Sequence, residues 1–276
     1  MSAGTWGMSL GRTVKQRQRR LRISKSLAGS VTVLTVLIIW EVAARSGILP
    51  EVAFPAASAV LVALGGLIFN ASFWAAVAST LAAAGVGLLI VTIIAVPLGL
   101  AIGRVQFVSK SMTLVIEFLK PIPPVALLPL ALLFWGPSPT MKVFLVVMGS
   151  LWPLLIQISY GARGVDKTQL DLARSYRFGW TRTVRHILLP TLVPHALVGL
   201  RVSASIAIVV AVVAELIGGA TGLGQSISLA QNTADLPVMY ALIMATGLIG
   251  LAVNALFELV GKPLLFWHPS MRVKES

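Results

Sequence analysis

Few residues in this chain are of types that make or break bonds. Three histidines (His186, His195 and His268) are scattered, cysteine is absent, and nine acidic residues are spread over 276 positions. Thiolate metal sites, cysteine nucleophiles and disulfides are excluded, and no two carboxylates are spaced for paired acid–base work. A GxxxxGK[ST] phosphate loop, a GxGxxG fingerprint, an HExxH helix and a GxSxG elbow are all missing. The sequence therefore points to recognition rather than catalysis. That potential is concentrated in residues 163–190, RGVDKTQLDLARSYRFGWTRTVRHILLP, the one long basic and polar stretch inside an apolar chain.

The 163–190 stretch is too charged to cross a bilayer, and its periodicity predicts two short helices. Asp166 can cap the first, in which Leu170, Ala173 and Tyr176 recur at a spacing of three on one face. Trp180 to Leu189 forms the second, and Pro190 is expected to stop it. Two amphipathic helices on the cytoplasmic side of a membrane protein form a docking surface.

The frame that holds them is a membrane bundle. Hydrophobic residues make up 57% of the chain and charged residues 11%, against about 25% charged in soluble domains. The length allows about six helices of roughly 20 residues and no separate soluble domain. The net charge of +13 does not signal nucleic acid, because it falls in alternate loops. Arg12, Lys15, Arg17, Arg19, Arg20, Arg22 and Lys25 precede the first apolar run. Arg104 and Lys110 flank a short loop, the 163–190 segment carries Arg163, Lys167, Arg174, Arg177, Arg182 and Arg185, and Lys262, Arg272 and Lys274 come last. The positive-inside rule then sets both termini in the cytoplasm. The expected organisation is a basic tail over 1–26, able to lie on anionic lipid, one transmembrane domain over 27–265, and a C-terminal tail over 266–276.

The all-α reading draws spans at 27–46, 78–103, 111–135, 141–161, 193–217 and 238–261. Phe54 to Phe69 is read as a helix along the outer face. In the second span Ala83, Gly87, Gly99 and Gly103 predict close helix packing. The third is unusual: Pro121, Pro123, Pro124 and Pro129 strip backbone donors from it. Such backbone is tolerated at membrane depth only inside protein or beside a wet cavity, so this span is placed in the bundle core near a translocation path. Just before it, Glu117 and Lys120 are spaced to pair. The fifth span carries Arg201, Ser203, Ser205 and Glu215. Arg201 and Glu215 lie about 21 Å apart along one helix and cannot pair. Each either lines the path or snorkels to an interface. Residues 217–237 form an outer loop with a short amphipathic helix through Leu223, Ile227, Leu229 and Ala230.

Residues 163–190 resemble the cytoplasmic "EAA" loop of permease subunits of ATP-binding-cassette importers. Asp171-Leu172-Ala173 stands where the motif has Glu-Ala-Ala, and Leu189-Pro190 where it ends in Leu-Pro. Where the family usually has Gly, this chain has Arg177, with Gly179 two places on; Arg takes a left-handed conformation less readily than Gly. The likeness continues through IIWEVAARSGILP at 38–50, LKPIPPVALLPLALLFWG at 119–136, GLR at 199–201, AEL at 214–216 and GLG at 222–224. It is similar to the subgroup handling sulfonates, taurine, nitrate, bicarbonate or vitamin precursors. The resemblance implies a homodimeric permease in the inner membrane of a prokaryote, two separate ATPase subunits holding ATP and Mg, and an extracytoplasmic substrate-binding protein. It also makes Leu170, Asp171, Ala173, Arg174, Tyr176, Arg177, Gly179, Leu189 and Pro190 the ATPase-coupling residues. The rival reading is an ion-coupled secondary transporter using Glu41, Glu117, Glu215 or Glu258.

Overall fold

A computed structural model describes residues 29–47, 50 and 53–264, so the expected tails 1–26 and 266–276 lie outside the described residues. The described secondary structure is helical, and it divides into a unit ending at Ala63 and a larger one from Leu64.

In the first unit, residues 29–45 form helix α1, and α2 (Ala57–Ile68) begins after a turn. Glu41 ties the two together. Its carboxylate accepts the Ser58 backbone N–H and hydroxyl, each at 2.9 Å, and pairs with Arg45 one turn on. Ser58 lies in the first turn of α2, where backbone donors have no helical acceptor, so Glu41 satisfies one of them. The Trp40 indole donates to the Pro55 carbonyl at 3.1 Å. With 12 residues, α2 is too short to cross a bilayer.

The second unit is built on three long helices, α3 (Ala71–Arg104), α6 (Pro139–Arg163) and α9 (Leu189–Gly218). Asn70 caps α3 by accepting from the Ser72 N–H at 3.0 Å, and Ser138 caps α6. The small residues of the second expected span face α6. A Cβ on Gly99 would sit 2.7 Å from a methyl of Ile158, and one on Gly103 would overlap Ala162. This is helix packing within one chain. Gly199 and Ser203 do the same for α6 and α9, with the Ser203 hydroxyl donating to the Ser150 carbonyl at 2.8 Å. The short α10 (Leu223–Asn232) and the long α11 (Leu236–Leu264) complete the unit with α4 (Gln106–Leu119) and α5 (Leu128–Trp135).

Two expectations are corrected. The third span is not one helix: α4 and the stretch Pro124–Trp135 are bent by 80°. The prolines break the backbone, a 3₁₀ turn at Pro124–Leu127 follows, and α5 buries Leu128 and Ala131 against α6 and α9, while α4 has no fully buried residue and rests only Val108, Met112 and Ile116 against the core. Nor does Pro190 stop a helix. Helix α8 (Trp180–Thr183) runs through a π turn at Val184–Leu188 into α9, giving a continuous helical stretch Thr181–Gly218 of 38 residues. The wider turn shifts the Leu189 N–H onto the Val184 carbonyl, which accommodates the ring of Pro190 above the carbonyl four residues back. The fifth span thus starts earlier than 193. Four helices among the described residues are long and apolar enough to span a membrane, and the bent pair makes five; the first expected span, 27–46, begins outside the described residues.

Because Gly103 approaches Ala162 without room for a side chain, Gly103→Val should separate α3 from α6. A loss of about 1–3 kcal/mol is expected, read as a lowered melting temperature of the purified protein in detergent; an unchanged melting temperature contradicts this packing.

Candidate functional site

The basic loop folds as α7 (Lys167–Ser175), followed by a tight turn into α8. Asp166 caps α7, its carboxylate accepting the Thr168 N–H at 2.8 Å. At the other end the chain closes a Schellman motif: the Phe178 N–H bonds the Ala173 carbonyl at 2.8 Å and the Arg177 N–H bonds that of Arg174 at 2.9 Å. That motif requires a left-handed residue after the cap, and Arg177 supplies it with φ +51°. Gly179 does not compensate; its φ is not positive and a Cβ there would meet open space. The strain anticipated for Arg177 is therefore present.

The face of α7 differs from the one the spacing suggests. Ala173 is only 5% exposed and Leu170 packs into the core with Val165 and Leu188, so both point into the chain. Exposed instead are Leu172, Tyr176 and Phe178, with the Tyr176 and Phe178 rings 6.4 Å apart. These three line a groove of about 320 Å³ with Ala173, His186 and Ile187. On the opposite flank Leu170, Asp171 and Arg174 share a cleft of about 530 Å³ with Arg104 and Arg163. The Asp171–Arg174 pair, 3.2 Å, is solvent-exposed, a geometry worth roughly 0–1 kcal/mol. Leu189 is exposed and Pro190 half-buried at the head of α9.

The expected path residues separate into distinct environments. Pro123 and Pro129 are exposed, whereas Pro124 packs near Gly149 of α6. Ser203 is buried on Ser150, while Ser205 is exposed and donates to the Arg201 carbonyl. Glu117 and Lys120, both exposed, form no ion pair. Glu215 does not reach the outer interface by snorkelling; it is fully buried, paired at 3.0 Å with Lys142 of α6, itself 1% exposed. Lys142 also donates to the Ser79 hydroxyl at 2.9 Å and the Thr221 carbonyl at 2.7 Å. Glu215 accepts from the Thr80 hydroxyl at 2.8 Å and the Gly224 N–H at 3.1 Å. All three protons of the Lys142 ammonium and both oxygens of the Glu215 carboxylate are thus engaged, the condition under which buried charge is tolerated.

The loop 219–224 closes over this pair. A Cβ on Gly222 would overlap the Glu215 carboxylate, and one on Gly224 would overlap the Val212 carbonyl. Sequence reasoning connected neither Lys142 nor Ser79 and Thr80 with Glu215. A usable signal existed: Lys142 is three residues into α6 and Glu215 three from the end of α9. In antiparallel neighbours those positions share a depth.

Against this geometry the comparisons can be set. Residues 95–264, more than half of the chain, match the family described as binding-protein-dependent transport system inner membrane component. The chain belongs to that family. It is 26% identical over 273 residues to the aliphatic sulfonates transport permease protein SsuC of Bacillus subtilis (strain 168), covering 98% of this chain and 97% of that one. It is 25% identical to the taurine transport system permease protein TauC of Escherichia coli (strain K12), over 92% of this chain and 96% of that one. The nitrate import permease protein NrtB of Leptolyngbya laminosa is 28% identical over 67% of this chain and 66% of its own. Among solved structures, a chain of the MetNI methionine ABC transporter in an inward-facing conformation superposes with TM-score 0.58 at 16% identity, covering 67% of this chain and 92% of that chain. The latter likeness concerns the fold. The protein is an ABC importer permease of the group that includes these relatives, a multi-pass inner-membrane component.

Two predictions follow from this permease's geometry. Lys142→Met leaves a buried carboxylate unpaired and should cost about 3–5 kcal/mol, whereas Lys142→Met with Glu215→Leu should recover most of that loss. Thermal unfolding of the single and double variants measures both, and a double variant no better than the single rules out the pairing. Arg177→Gly should relieve the left-handed strain by about 1 kcal/mol. Hydrogen exchange at the Phe178 amide, whose bond closes the motif, should slow; faster exchange contradicts the assignment.

Proposed function

We propose that this permease works as a homodimer enclosing one translocation path, with a separate ATPase subunit docked on each 163–190 loop. ATP and Mg reside on those ATPases, this chain makes or breaks no bond, and an extracytoplasmic binding protein delivers a small solute. The solute class is that of the relatives' names and their subgroup: sulfonate, taurine, nitrate, bicarbonate or a vitamin precursor. Both termini and the loop face the cytoplasm.

The observation that carries this reading is the outward face of α7. A nine-residue helix capped at both ends, with Ala173 turned inward and Leu172, Tyr176 and Phe178 held exposed on a basic segment, is built to insert into a groove. Lipid would not require the left-handed turn that presents Phe178. Dimerisation of the ATPases on binding ATP would draw the two loops together and shift the permease from an inward- to an outward-facing state, the population change being set by the differential affinity of the two states. The ion-coupled reading gains nothing from the structure: Glu215 is consumed by Lys142, and Glu41 by Ser58 and Arg45.

Co-purification tests the docking. Tyr176→Asp should leave insertion and melting unchanged, because the residue is 73% exposed, yet weaken ATPase binding at least about tenfold, as expected for a central aromatic anchor. Ala173→Asp should instead unfold α7, since that position is buried in the chain's own packing. A single cysteine at Thr168 should be labelled only from the cytoplasm. Full ATPase binding by Tyr176→Asp, or labelling of Thr168→Cys from outside, refutes the reading.

A further inference from the structure

Arg201 is placed where a charge has to be explained. Ser203, two residues on, bonds Ser150 at the middle of α6, so Arg201 lies roughly 17 Å from the nearer end of that helix. In a hydrocarbon core about 30 Å thick this is near mid-depth. The span drawn from sequence put it close to the cytoplasmic end, within snorkelling range. The longer α9 removes that option. Its guanidinium is exposed rather than folded into the core, and it donates through Nε to the side-chain oxygen of Asn254 on α11.

No carboxylate neutralises it. Arg201 forms no salt bridge among the described residues, and the carboxylate one turn beyond Asn254, Glu258, is held by Lys262 at 3.3 Å. The Nε bond orients the guanidinium and leaves both terminal nitrogens without a partner among the described residues. Val198, Val202, Ser205 and Val209 continue the same exposed stripe of α9, so the fork projects from an otherwise mostly apolar wall. A mid-membrane cation faces either a protein partner or a wet cavity. Lipid phosphates lie at the interface, about 15 Å away, and cannot serve it.

We propose that Arg201, oriented by Asn254, is an oxyanion-binding station midway along the translocation path, and that the solute carried is an organic or inorganic oxyanion rather than a cation or a neutral sugar. This rests on the permease reading above and adds the substrate's charged group to it. Two parallel N–H donors in one plane match two oxygens of a sulfonate, nitrate or carboxylate group, whereas a lysine would offer only a point charge. The apolar stripe beside it accommodates the uncharged remainder of such a solute. Two copies facing one path would place two such forks on it.

The test uses the assembled transporter, whose permease has no native cysteine. Ser205→Cys, one turn from Arg201, reports through its reaction rates with a sulfonate-bearing and a trimethylammonium-bearing methanethiosulfonate reagent, each normalised to its rate with free thiol. The anionic reagent should be favoured by at least about tenfold, the scale of electrostatic focusing in a low-dielectric cleft. Excess ethanesulfonate or nitrate should slow it, Arg201→Lys should keep the preference, and Arg201→Gln should abolish it. Should Arg201→Gln fail to assemble, the preference and its suppression by ethanesulfonate in the Arg201 protein decide alone. Equal rates for the two reagents overturn the proposal. So does no reaction with either, with and without ATP, since the stripe then faces lipid or a second copy. A transporter that binds its ATPase through Tyr176 yet shows no preference loses this assignment and keeps the permease reading.

Discussion

Two opposite charges shut away from water set the geometry of one end of this protein. Lys142 and Glu215 meet on α6 and α9 with no solvent to share, so neither helix can slide or rotate without stranding a charge. Such a pair adds little net stability compared with an apolar replacement, but it discriminates strongly against every other register. It also dictates what surrounds it. The hydroxyls of Ser79 and Thr80 bring α3 to the same depth. The glycines of the 222–224 turn admit the loop backbone close enough for the Gly224 amide to complete the carboxylate's bonds.

The same rule, that no polar group goes unsatisfied in an apolar medium, explains the irregular backbone. Prolines at 121–129 would strand carbonyls in a lipid-facing helix, and the chain answers with an 80° break that seats α5 among α6 and α9. Pro190 is absorbed by a π turn rather than a break. As a result Arg201 and Glu215 belong to one continuous helical stretch, Thr181–Gly218, that begins just after the turn closing α7.

Helix identity and the helical, amphipathic nature of the basic segment were legible in the sequence, because each depends on local composition and period. Asp166 as a cap is a local property, and it caps. The anticipated difficulty at Arg177 was likewise readable, since the backbone demand of a Schellman turn is local, and φ is +51°. Spacing alone misjudged the faces of α7: a repeat of three links Leu170, Ala173 and Tyr176, but Tyr176 is the cap residue beyond a nine-residue helix and points elsewhere. Its buried side was settled by packing against Val165 and Leu188.

By itself the sequence determined that the chain is a helical membrane protein, since composition and period need no coordinates. Only the tertiary structure decided which charges meet. Lys142 and Glu215 are 73 positions apart, and Arg201 and Asn254 are 53 apart. Pairing at such separations depends on how antiparallel helices align in depth. That alignment is the joint outcome of small residues at the crossings, a bent third span and a proline passed without a break, none of which any single segment encodes.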